Sequence, residues 1–239
     1  MAEENFLHPR YWPTWVGYWL IWVVVRLPQR VRLFIGARLG DLARWLAVDR
    51  RRIVLRNIEL CFPELDEQAR ARLVRDIFRS GGMSIIETAV AWLGRGSSVV
   101  GRMTIEGVEH LRAAQARGKG VILMGMHMQT LDLAGACLSQ EIGLNVMYRA
   151  NKNLLIEKIM TEGRKRLYPS AIERGDVRSV ISSLSAGDIV WYGPDQDYGA
   201  RNAVFVPFLG VPAATTTAAS RIAKITGAAV VPITYLRVD

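Results

Sequence analysis

From Lys119 onwards short apolar runs alternate with helical patterns, and nothing else in the sequence constrains the architecture as strongly. Lys119 to Met126, Leu144 to Tyr148, Ile189 to Tyr192, Val204 to Phe208 and Ala229 to Tyr235 read as strands. Val108 to Arg117, Lys152 to Leu167, Asp176 to Ala186 and Thr215 to Thr226 read as helices, and Met103-Thr-Ile-Glu106 as one more strand. Strands separated by helices pair through crossovers, so the expected fold is α/β, with a sheet covered by helices on both faces. The chain stops four residues after Tyr235, where such a sheet normally gains another covering element, so a missing C-terminal portion is expected.

Upstream the pattern is purely helical. The stretch from Leu55 to Leu65 halts near Phe62 because Pro63 disfavours continuation. Asp66 then reads as the N-cap of a long helix reaching Leu93, with Leu73, Ile77, Ile86 and Val90 on its apolar side and Gly94 and Gly96 ending it.

The first 50 residues differ in character, and the chain divides at that point into an N-terminal appendage, 1–50, and one domain, 51–239. Tyr11 to Val25 carries four Trp and two Tyr, residues that favour the membrane interface. The unbroken stretch from Thr14 to Val25 is shorter than the roughly 20 residues that cross a bilayer. Leu27 to Val48 extends it, with Val31, Phe34, Ile35, Leu39 and Leu42 on one face and arginines on others, as in an interfacial helix. The formal charge is +9, concentrated in arginines between Arg26 and Arg56. Charge alone fits nucleic acid, anionic headgroups or an acidic protein; the aromatic neighbours favour a membrane anchor, spanning or half-inserted, and make nucleic acid the minor reading. A pair of ordinary core helices is the alternative. Half of the residues are apolar, which argues against disorder. Two cysteines far apart make no disulfide framework, and no signal-peptide cleavage site follows the apolar stretch, so a cytoplasm-facing protein is expected.

His127 ends the run Val121-Ile-Leu-Met-Gly-Met126 and is followed by Met-Gln-Thr-Leu-Asp132. A histidine leaving a buried strand meets substrate rather than core, and a carboxylate on the first turn of the next helix can fold back to orient it. His127 would then be a general base for a hydroxyl, with Asp132 fixing its tautomer. The spacing equally fits a histidine that merely satisfies a local hydrogen bond. His8 and His110 lie in unrelated segments and neither cysteine has a partner at zinc-site spacing, so no metal is expected.

Polar segments punctuate the other strand ends: Tyr148-Arg149, Gly163-Arg164-Lys-Arg166 on the helix beyond, and Gly193-Pro-Asp195-Gln196-Asp197 leading to Arg201. In an open α/β sheet these loops converge at the carboxyl edge, and arginine forks there suit phosphate or carboxylate groups. Plainer readings stand beside these. Arg164 to Arg166 can be a solvated helix face, Asp195 and Asp197 can shape a turn, and Thr215-Thr-Thr217 can cap a helix.

Together these segments resemble the late acyltransferases of lipid A biosynthesis, the lauroyl/myristoyl transferase family. The resemblance rests on Asn57-Ile-Glu-Leu-Cys-Phe-Pro-Glu64, His127 to Asp132, Tyr148-Arg-Ala-Asn-Lys-Asn153, Trp191 to Gly199, Val204-Phe-Val-Pro-Phe208 and Ala214 to Thr217, in order over nearly the whole chain. It implies a mixed sheet flanked by helices, like that of the glycerol-3-phosphate acyltransferases, with an N-terminal anchor in the bacterial inner membrane and the catalytic domain on the cytoplasmic side. It further implies transfer of a fatty acyl chain from acyl carrier protein to a hydroxyl of a hydroxyacyl chain on a Kdo-bearing lipid A precursor. No cofactor beyond the acyl carrier protein co-substrate is implied, and the partners are that protein, an anionic lipid and the membrane, without nucleic acid. His127 becomes the base and Asp132 its orienting carboxylate, a position where lauroyl-type members usually have Glu and glycerolipid acyltransferases have Asp. Arg149 and Arg164 become contacts to anionic substrate, with Asp195 and Gln196 lining the site. An acyltransferase acting on a lysophospholipid or aminolipid, or a non-catalytic scaffold binding anionic lipid, are the alternatives.

Overall fold

The structure is a computed structural model that describes residues 4–93, 103–196, 199 and 203–238. Four helices come first: α1 (Trp12–Val24), α2 (Gln29–Leu46), α3 (Val48–Cys61) and α4 (Glu67–Trp92). Asp66 caps α4 as expected, its carboxylate accepting the Ala69 amide at 2.7 Å. Gly94 and Gly96, the expected terminators, lie outside the described residues.

Beyond these come α5 (Val108–Gln115), β1 (Val121–Met124), α6 (Leu131–Glu141), β2 (Asn145–Tyr148), α7 (Leu154–Leu167), β3 (Ala171–Glu173) and α8 (Val177–Ser185). The chain continues with β4 (Ile189–Tyr192), β5 (Ala203–Phe208), β6 (Val211–Thr216), α9 (Ala218–Thr226) and β7 (Ala229–Pro232). Five strands form one sheet in the order β3-β2-β4-β1-β7, every pair parallel. Alternation along β1 builds two cores: Val121 and Leu123 face a cluster with Leu111, Leu138 and Leu144, while Ile122 faces Val180, Leu184 and Ile222. Helices therefore cover both faces. Because all five strands run the same way, Met124, Tyr148, Tyr192 and Pro232 end at one edge.

Three expectations change. Met103 to Glu106 is not a strand; Ile105 packs against the core from an irregular segment. Val204 to Phe208 is a strand, but it pairs antiparallel with β6 in a separate hairpin. Pro207 faces Pro212 across that ladder, and two residues without an N–H cannot extend a central sheet. Leu209 and Gly210 turn the hairpin with φ of 48° and 80°, the left-handed pair that a two-residue turn needs. Thr215 and Thr216 belong to β6, so the helix starts at Ala218, with the Thr216 hydroxyl accepting its amide at 3.3 Å.

The N-terminal helices also differ from the simple amphipathic picture. What α2 buries is Arg32, Gly36, Ala37 and Gly40, while Phe34, Leu42 and Trp45 stay exposed. A Cβ on Gly40 would stand 2.2 Å from the Phe78 carbonyl oxygen, and one on Gly82 would stand 2.1 Å from that of Gly36. Backbones this close leave no room for larger residues at the crossing of α2 and α4. At the adjoining residues the Arg79 guanidinium grips Asp41 through bonds of 2.8 and 3.1 Å, holding that carboxyl below its ordinary range. Among the described residues no helix is long and apolar enough to cross a membrane. The 13 residues of α1 span about 20 Å against a hydrocarbon core of about 30 Å. Ile21 and Val25 pack α1 on Ala89 and Val90 of α4, and Trp12, Val16, Trp19, Leu20 and Val23 form an exposed stripe.

Gly40→Ala should destabilise the chain by about 1–3 kcal/mol, because the obstructing atoms are backbone and cannot rotate away. The midpoint of urea unfolding measures this; an unchanged midpoint would mean that the two helices separate freely.

Candidate active site

The parallel sheet delivers two loops side by side. Gly125, following β1, donates its amide to the Tyr192 carbonyl at 3.0 Å, which ties the start of one loop to the end of β4. Two residues later His127 meets the loop after β4. Its backbone amide donates to Asp195 Oδ2 at 2.8 Å and its Nδ1 lies 2.7 Å from Asp195 Oδ1. Partial burial works against the charge on Asp195, but the imidazole and the His127 amide outweigh it and hold the carboxyl below its ordinary range. An ionised carboxylate only accepts, so in the neutral ring Nδ1 carries the proton and Nε2, without a hydrogen-bond partner among the described residues, keeps its lone pair. The His127 side chain is 38% exposed, so that lone pair is open to a substrate.

Two glycines make this seat possible. A Cβ on Gly193 would come within 2.7 Å of the imidazole Cε1, and one on Gly125 within 2.5 Å of the Trp191 indole nitrogen. The Trp191 ring meets the imidazole edge-on at 5.5 Å, closing one side.

Asp132 lies elsewhere than the spacing suggested. It sits in the first turn of α6, yet Oδ2 accepts the Thr88 hydroxyl at 3.0 Å and Oδ1 the Trp92 indole N–H at 3.3 Å, both from α4. Thr130 enters the helix with φ 71°, which turns Asp132 towards α4 and leaves the imidazole to Asp195. Burial pushes the Asp132 carboxyl up, against the opposing pull of Thr88, the Arg164 charge, Trp92 and His127. Arg164, on α7, stacks over Tyr148 at 4.8 Å and Trp92 at 5.5 Å, and its Nη1 is buried without a hydrogen-bond partner among the described residues. Gly163 beside it allows the approach, since a Cβ there would stand 2.8 Å from that of Trp92.

The site thus holds an open imidazole–carboxylate pair and, set deeper, a carboxylate resisting charge near an arginine. Arg149 is exposed beyond β2 at the same edge, and Gln196 is exposed beside Asp195. Asp197 lies outside the described residues. Thr88 and Trp92 are site residues that the sequence does not single out, and Gly193 enters only as part of the segment leading to Asp195. The helical spacing of Thr88 and Trp92 offered the only signal for that pair.

Asp132 holds its proton more tightly folded than unfolded, so its effect on stability is absent in acid and becomes a cost as pH rises through its folded pKa. Asp132→Asn should therefore melt at the same or a higher temperature than the wild type at pH 8, with a difference that shrinks towards pH 4. Melting curves across that range decide it; an advantage growing on acidification would contradict the assignment.

The model of the family described as bacterial lipid A biosynthesis acyltransferase matches residues 2–239. The chain is 44% identical over 228 residues to the lipid A biosynthesis lauroyltransferase of Escherichia coli (strain K12), covering 95% of this chain and 74% of that protein. It is 37% identical over 236 residues to the lipid A biosynthesis palmitoleoyltransferase of the same strain, covering 98% and 77%. To the strain's lipid A biosynthesis myristoyltransferase it is 29% identical over 233 residues, covering 97% and 72%. A parallel sheet offering an open histidine at its carboxyl edge and these matches along almost the entire chain lead to one conclusion: the chain belongs to the bacterial lipid A biosynthesis acyltransferase family.

Proposed function

We propose that the protein transfers a fatty acyl chain from acyl carrier protein to a hydroxyl of a hydroxyacyl chain on a Kdo-bearing lipid A precursor, at the cytoplasmic face of the bacterial inner membrane. The observation that carries this reading is the His127–Asp195 pair, whose open Nε2 stands at the carboxyl edge of the sheet. His127 Nε2 takes the proton of the acceptor hydroxyl as its oxygen attacks the thioester carbonyl. The C–O bond forms, the C–S bond breaks, and the proton passes to the departing thiolate of the carrier. Asp195 stabilises the imidazolium between these two steps. Arg164, with a donor unpaired among the described residues, and the exposed Arg149 supply positive charge for an anionic acceptor, while Gln196 lines the entrance. Asp132 holds the Thr88 and Trp92 side chains rather than the imidazole. Nothing in this chemistry calls for a metal or cofactor. Asp at position 132, in place of the Glu usual in lauroyl-type members, favours one second reading, an acceptor that is a lysophospholipid.

The membrane part of the proposal rests on the α1 stripe. Trp19 is 57% and Leu20 64% exposed, and the Arg26 guanidinium folds over the Trp22 ring at the end of the helix. An apolar face of aromatic and aliphatic residues ending in arginine suits a helix lying in the interface rather than crossing it. The basic N-terminal region also offers a docking surface to an acidic carrier protein. No nucleic acid is part of this reading.

Lipid A from cells lacking their own late acyltransferase should gain the mass of one acyl group when complemented with this protein. His127→Ala should abolish the gain, and Asp195→Asn should lower it by at least about 100-fold, since a wrong tautomer disables the base. Acylated lysophospholipid in place of lipid A would favour the second reading, and an unchanged gain with His127→Ala would refute the base. Val16→Glu combined with Trp19→Glu should move the protein from the membrane to the soluble fraction after lysis at low salt; persistence in the membrane would refute the interfacial role of α1.

A further inference from the structure

The loop that carries His127 is held along its length by one stretch of chain beyond β7. The Ile233 amide donates to the Met124 carbonyl at 2.9 Å, and the Tyr235 hydroxyl donates to the Met126 carbonyl. The Thr234 hydroxyl lies 3.3 Å from the Met128 sulfur. Arg237 reaches the far end of the loop through α4. Its Nε donates to Glu87 Oε1 at 2.7 Å and its Nη2 to Glu87 Oε2 at 2.7 Å, while the Thr130 hydroxyl donates to the same Oε2 at 2.6 Å.

Thr130 is an unusual residue to find there. Its φ is 71°, a conformation that costs energy for a β-branched side chain and persists only where the surroundings enforce it. A threonine before a helix ordinarily turns its hydroxyl onto the helix's own amides, yet Thr130 makes no such cap and gives its proton to Glu87. Its amide donates to Ser84 Oγ at 3.2 Å, so α4 grips both its backbone and its side chain. Glu87 is 7% and Thr130 8% exposed. A carboxyl group buried that far is costly without polar partners, and the bidentate Arg237 fork supplies them.

We infer that Glu87, Thr130 and Arg237 form a positioning device for the His127 imidazole. This inference rests on His127 being the base. None of the three touches a reacting atom. Asp195 holds the loop at residue 127 and Glu87 holds it at residue 130, so the imidazole hangs from a short span fixed at both ends. Releasing the Thr130 end lets the backbone relax towards ordinary φ and carries Nε2 away from the hydroxyl it must deprotonate. A shift of about 1 Å in a reacting group costs about 100-fold in rate.

The test compares Thr130→Val, which keeps the shape and deletes the hydroxyl, with Thr130→Ser, which keeps the hydroxyl, in purified full-length protein. Both leave the Glu87–Arg237 pair in place, and a double variant, Glu87→Gln with Arg237→Met, removes that pair without stranding a charge. Acyl transfer from acyl carrier protein and the His127 Nδ1 proton resonance are read together. Thr130→Val and the double variant should lower kcat by about 10- to 100-fold with KM for both substrates within about twofold, and Thr130→Ser should keep at least about half of the wild-type kcat. The Nδ1 resonance should broaden or shift in the two impaired proteins and persist in Thr130→Ser. A Thr130→Val enzyme with wild-type kcat, an equal loss in Thr130→Ser, or a loss confined to KM would overturn the inference. Should the wild type transfer no acyl group, the functional reading fails, and an Nδ1 resonance unaffected by Thr130→Val would overturn the positioning role by itself.

Discussion

The crossing of α2 and α4 at Gly36, Gly40 and Gly82 is the contact on which the site is built. It brings two backbones so close that the position and tilt of α4 have little freedom, and Arg79 locks the crossing onto Asp41. Successive turns of that one helix then present Ser84, Glu87, Thr88 and Trp92 to the loop after β1 and the first turn of α6. The sheet provides the edge at which His127 emerges, and α4 provides the wall against which the following residues are set.

Against that wall two carboxylates take opposite electrostatic positions. Asp195 is wetter, bonded to an imidazole and an amide, and holds its charge below the usual range. Asp132 is drier, bonded to a hydroxyl and an indole, and resists charging. Separation of this kind lets two residues of similar chemistry do different work at one edge of the sheet. The charged one fixes the orientation and tautomer of the histidine, and the other organises aromatic and cationic groups beside it.

How much of this could be read beforehand follows from the range of the interactions. The strand endings at Tyr148 and Tyr192 and the cap at Asp66 depend on local pattern and residue chemistry and are legible as such, whereas β1 stops at Met124, two residues before the expected Met126. His127 was legible because a histidine at the end of an apolar run is locally anomalous. Its partner was not. The nearby Asp132 satisfied the spacing, whereas Asp195 is 68 residues away and becomes a neighbour only through the pairing of β1 with β4. The grip of Glu87 on Arg237 spans 150 residues and left no local trace. On α2 the large apolar residues drew attention, yet small residues made the contact, because close approach of two helices requires the absence of side chains. Val204 to Phe208 reads as a strand of the main sheet, because the opposition of Pro207 and Pro212 exists only across the folded ladder.

These separations also order events in time. The contacts among α1, α2 and α4 close within the first 93 residues, so the stripe of α1 and the wall of α4 can form while the rest of the chain is still on the ribosome. The His127–Asp195 bond must wait for β4, and the strap onto Met124, Met126 and Glu87 for residues 233–237. The elements that carry the exposed stripe are therefore complete in sequence well before the partners that seat the base.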